Sequence, residues 1–63
     1  MNDVTKVYHE MLVTLEKGID DLDKFNDGNK SAGTRIRKTM QNIKNLAQQV
    51  RVEVQEIKNA VAA

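Results

Sequence analysis

Apolar residues recur along this chain at helical spacing. Between Val4 and Phe25 they advance in steps of three and four, at Val4, Tyr8, Met11, Leu15, Gly18, Leu22 and Phe25, with Val7, Leu12 and Ile19 beside them. That spacing holds side chains on one face of a 3.6-residue helix. The flanking residues widen the stripe beyond a two-helix seam, so this helix is expected to face more than one neighbour. Asn2 or Asp3 is the candidate N-cap, because a short side-chain oxygen accepts from the free amides of the first turn. Gly18 stands on the seam at a cost of about 1 kcal/mol in helix propensity, and is expected to let a second backbone approach closely.

The pattern breaks at Asn26-Asp27-Gly28-Asn29, residues that end helices and accept turn conformations. Asn29 or Ser31 is placed to cap a second helix. Its apolar stripe runs through Ile36, Met40, Ile43, Ala47, Val50, Val54, Ile57 and Val61 in unbroken steps of four and three, as in a coiled-coil seam. The alternation in Val50-Arg51-Val52-Glu53-Val54 looks like a strand, but it lies inside the longer seven-residue repeat and has no turn signal on either side. The expected fold is all-α: one domain over residues 1–63, with a helix over about 3–26, a turn at 27–30 and a helix over about 31–61. The short connection makes it an antiparallel two-helix hairpin. The second helix is longer by roughly 13 Å at 1.5 Å per residue, which leaves Val54, Ile57 and Val61 without an internal partner.

Sixty-three residues with no cysteine and one histidine offer no disulfide and no metal cage to support a small core. A lone core of this size seldom supplies more than about 3–5 kcal/mol. Self-association is therefore expected, a dimer preferred, with Val50, Val54, Ile57 and Val61 as interface residues and a helical bundle as the result.

Dividing the chain at Gly28 exposes a charge asymmetry that the overall +1 conceals. Residues 1–27 hold seven carboxylates against three lysines, net −4, and residues 28–63 hold seven cations against two carboxylates, net +5. Arg37, Lys44, Arg51 and Lys58 recur every seven residues, each following a seam residue, which sets them about 10.5 Å apart along one row. The corresponding flanks of the first helix contain one acid, Asp21, so the row lacks internal partners. Near the turn, Asn29, Lys30, Ser31, Thr34, Arg35, Arg37 and Lys38 gather donors at a helix start, where free amides and the dipole already favour anions. Guanidinium forks and ammonium groups suit phosphate. The candidate DNA-contacting residues are therefore Lys30, Arg35, Arg37, Lys38, Lys44 and Arg51, with Asn29, Ser31 and Thr34. Nothing in the chain is suited to reading bases, so the expected partner is double-stranded DNA bound electrostatically and with little sequence preference.

The stretches Asp21-Leu22-Asp23-Lys24, Gly28-Asn29-Lys30-Ser31-Ala32-Gly33-Thr34-Arg35-Ile36-Arg37, Leu46-Ala47 and Arg51 resemble the amino-terminal region of the chlamydial linker-histone-like proteins. They are closer still to short bacterial histone-like relatives, over roughly residues 12–60. The resemblance implies a helical, DNA-binding domain that helps compact the nucleoid, with Lys30, Arg35, Arg37 and Lys38 as the matching candidates. The chlamydial proteins continue into a tail rich in lysine, alanine and proline, which this sequence does not include. Several hairpins acting together in one oligomer are expected to compensate.

An enzyme is not expected: His9 beside Glu10 on a solvent face, with a single serine, gives no nucleophile and base pair. No cofactor, metal or small-molecule substrate is expected either. The longest apolar run is Met11-Leu12-Val13 and the amino terminus has no signal-peptide pattern, so a cytoplasmic, nucleoid location and no membrane partner are expected. The competing reading is a coiled-coil adaptor that docks on another helical protein, which the periodicity alone would fit equally well.

Overall fold

A computed structural model describes residues 3–62, with side chains from Asp3 to Ala60. Two helices make up the structure, α1 over Asp3–Asn26 and α2 over Lys30–Ala62. They pack antiparallel into a rod of 53 × 18 × 11 Å, the all-α hairpin that the two periodic stripes imply. Aspartate at the start of α1 and Lys24 in its last turn complement the helix dipole.

The turn is closed by hydrogen bonds that the sequence supplies locally. Asn29 N–H donates to the Lys24 carbonyl at 3.0 Å and Gly28 N–H to the Phe25 carbonyl at 3.0 Å, the paired bonds of a Schellman motif. Gly28 sits at φ +99°, a conformation L side chains rarely adopt. The N-cap of α2 is Asn29 and not Ser31: its Oδ1 accepts from Ala32 N–H at 3.2 Å. The same asparagine thus finishes one helix and starts the next, which is why three residues suffice to reverse the chain.

The interhelical seam differs from the expected one. On α1 the positions turned inward are Val4, Val7, Met11, Thr14, Gly18 and Asp21, while Tyr8, Leu15 and Leu22 are exposed. On α2 they are Ala32, Gly33, Ile36, Thr39, Ile43, Leu46, Ala47, Val50 and Glu53, while Met40, Val54 and Ile57 are exposed. Both sets are built on steps of three and four, and the expected and observed registers share Val4, Met11, Gly18, Ile36, Ile43, Ala47 and Val50. The true seam includes Thr14, Asp21, Thr39 and Glu53, polar residues that periodicity assigns to solvent. Glu53 illustrates the cost: its Oε1 accepts from Gln49 Nε2 at 3.4 Å while Oε2 is enclosed without a partner. Val50 lies on both the expected and the observed stripe and is half-buried in the seam. Val54 and Ile57 lie on the overhanging end of α2, as expected, and the side chain of Val61 lies outside the described residues.

Close packing is concentrated at Gly33 rather than Gly18. A Cβ at Gly18 would meet Thr39 Cγ2 at 3.5 Å, an ordinary contact, whereas at Gly33 it would lie 2.9 Å from Phe25 Cε1. The ring of Phe25 therefore rests on a position that glycine alone leaves open. Among the described residues only Val7 and Ala32 are buried, so the hairpin has a seam and hardly a core.

Candidate nucleic-acid interface

The cationic residues of α2 divide by what surrounds them. Arg35 is drawn into the hairpin: its Nε donates to Asp21 Oδ1 at 2.7 Å, with the arginine side chain 47% and the aspartate 22% exposed. Asn29 commits its side-chain oxygen to the α2 cap. Lys30, Ser31, Thr34, Arg37, Lys38, Lys44, Arg51 and Lys58 are exposed. Among the described residues, none of these cations is ion-paired; the other pair present is Lys24 Nζ to Asp20 Oδ2, 3.4 Å, within α1.

Five of these unpaired cations recur every seven residues. Lys30 lies seven residues before Arg37, so the row runs Lys30, Arg37, Lys44, Arg51 and Lys58. Seam residues Ile36, Ile43 and Val50 immediately precede three of its members, which fixes the row on one flank of α2. Over 28 residues of helix it extends about 42 Å, comparable to a dozen base pairs at about 3.4 Å each. The opposite side of the hairpin is mixed in charge, where Asp3, Lys6, Glu10, Gln49 and Glu53 border a polar cleft.

The family model described as "Histone H1-like protein Hc1" matches residues 3–60, which takes in both helices and the turn. The chain belongs to this family. Membership in a histone H1-like family, which is not an enzyme family, supports a DNA-binding nucleoid protein in general terms. No curated protein and no solved structure matches the chain. No helix among the described residues is long and apolar enough to cross a membrane.

Within this histone H1-like hairpin, the residues near the turn are not brought together as one anion pocket. Arg35 and Arg37 leave α2 in different directions, since two residues of helix rotate about 200°. Lys38 likewise stands off the row. What the helix does align is the seven-residue series. Lys30 as its first member was visible in the spacing, yet its place beside the turn drew it into the local cluster instead.

Proposed function

We propose that this chain binds double-stranded DNA through the phosphate backbone, without sequence preference, and acts as a homodimer in organising or compacting the nucleoid. The observation that carries the reading is the row of Lys30, Arg37, Lys44, Arg51 and Lys58. Five exposed cations on one rigid helix, none ion-paired among the described residues, keep their charge available to an external polyanion. Rigid presentation matters because little backbone order has to be created on binding. Ser31, Thr34 and Lys38 are accessory donors. Arg35 and Asn29 are assigned mainly to holding the hairpin, and Arg35 contributes through the part of its guanidinium that Asp21 leaves open. Such contacts position a protein on DNA and carry no base information.

The test is a gel shift on random-sequence duplex at low salt with Lys30, Arg37, Lys44 and Arg51 all changed to glutamine. Helicity and mass should stay unchanged, and binding should fall at least tenfold. Full retention of duplex by that variant would refute the reading and favour a protein-binding hairpin.

A further inference from the structure

Uncharged polar residues separate the cations of the seven-residue row. Thr34, Gln41, Gln48 and Gln55 fall between them in steps of four and three, and are exposed like them. The seam also repeats every seven residues, through the half-buried Ile36, Ile43 and Val50. The stripe therefore keeps its place relative to the seam as the helices wind. At 100° per residue the cations stand about 130° round α2 from the middle of the seam, and the glutamines almost opposite it. The stripe thus faces away from α1 and its carboxylates. On α2 no carboxylate precedes Glu53, which is itself turned into the seam.

Helix rise sets the scale of this stripe. Measured from Lys44, Arg37 and Arg51 stand about 10.5 Å to either side, and Lys30 and Lys58 about 21 Å. A straight line along the outside of B-form DNA crosses phosphate strands at unequal intervals. One turn is about 34 Å, and groove widths of about 12 and 6 Å divide it into roughly 21 Å across the major groove and 13 Å across the minor. Centred on a major groove, the crossings fall at about 10.5 Å and 23.5 Å on either side. The two arginines meet the first pair of crossings. The outer lysines come within about 3 Å of the second, less than the length of a lysine side chain.

We propose that α2 lies along the axis of B-form DNA, across the grooves and not within one. Arg37 and Arg51 rest on the two phosphate strands that border a major groove, Lys30 and Lys58 on the strands beyond the adjoining minor grooves, and Lys44 over the major groove itself. This rests on the DNA reading above, and it gives that site a geometry and a preferred form of duplex.

The residue types suit their places. Guanidinium forks grip the central strands bidentately, and the end lysines, as point charges on flexible stems, accommodate the small mismatch. Lys44 has no phosphate beneath it and is drawn to both strands without touching either. Gln41 and Gln48 flank it over a groove about 8.5 Å deep, more than a glutamine spans from a helix resting on the rim. Their amides donate and accept at once, so they bind groove water and select no base. An A-form duplex has a narrow, deep major groove and a wide, shallow minor one. Its strands cross the line elsewhere, and the four outer cations cannot all be met.

The test uses the full chain in salt titrations on a mixed-sequence DNA duplex of about two turns, and on an RNA duplex of the same sequence. Lys30→Gln, Arg37→Gln, Arg51→Gln and Lys58→Gln should each lower the magnitude of the salt slope by about 0.9, and Lys44→Gln by less than half of that. The wild-type slope is then about −3.6, in place of the value near −4.5 that five phosphate contacts would give. At equal salt the DNA duplex should be bound at least roughly fivefold more tightly than the RNA duplex. A slope change for Lys44→Gln as large as that for Arg51→Gln, or equal affinity for the two duplexes, overturns the alignment and leaves the DNA reading standing. Failure of the wild-type chain to bind the DNA duplex refutes the DNA reading, and the alignment with it.

Discussion

Asp21 and Arg35 form the one ion pair that joins α1 to α2 among the described residues, a 2.7 Å hydrogen bond from Nε to Oδ1. The aspartate is the more enclosed partner, so the pair helps set the register in which Gly18 meets Thr39 and Phe25 meets Gly33.

Replacing the carboxylate should separate the structural and binding roles of Arg35. Asp21→Asn is expected to cost about 1 kcal/mol in urea unfolding, within the range for a partly exposed, hydrogen-bonded pair. Duplex affinity at low salt should stay level or rise, because the arginine is released. A marked loss of DNA binding without a loss of stability would contradict this division of labour.

The three glycines should respond differently to alanine. Gly18→Ala should stabilise the hairpin by about 0.5–1 kcal/mol, since helix propensity improves and the new methyl meets only an ordinary contact with Thr39. Gly33→Ala gains the same propensity but drives a methyl to 2.9 Å from Phe25 Cε1, so its melting temperature should fall below that of Gly18→Ala. Pairing it with Phe25→Leu should recover part of the difference. Gly28→Ala, at φ +99°, should lose about 1–3 kcal/mol through backbone strain.

Asn29→Ala removes the side-chain acceptor that caps α2 and should cost about 0.5–2 kcal/mol. Asn29→Asp should retain most of that stability. Circular dichroism melts of the two variants discriminate a capping role from a purely DNA-contacting one.

Duplex affinity should fall steeply with salt. If all five cations of the row engage phosphate in one hairpin, the slope of log K against log salt approaches about −4.5, and each change to glutamine along the row lowers its magnitude by about 0.9. Lys17→Gln, on α1 and outside the row, should leave the slope nearly unchanged. Equal effects from Lys17 and Arg51 would show that net charge, and not the row, governs binding.

The amino-acid sequence by itself determined two helices, their boundaries within a residue or so, and the reversal at Gly28. Those features rest on local physics: helical periodicity, a left-handed glycine and an asparagine cap. It also determined the seven-residue cationic series, because helix geometry alone aligns such residues. Tertiary structure decided which apolar stripe became the interior. Each helix offers two overlapping registers with the same steps, and local spacing gives both the same periodicity. The packing chose the one containing Thr14, Asp21, Thr39 and Glu53, with Ala32 and Gly33 letting the helices meet near the turn. It thereby left Leu15, Leu22 and Met40 exposed and engaged Arg35 with Asp21. Those outcomes depend on shape and charge contributed by residues far apart in the chain, which become neighbours only once the hairpin closes.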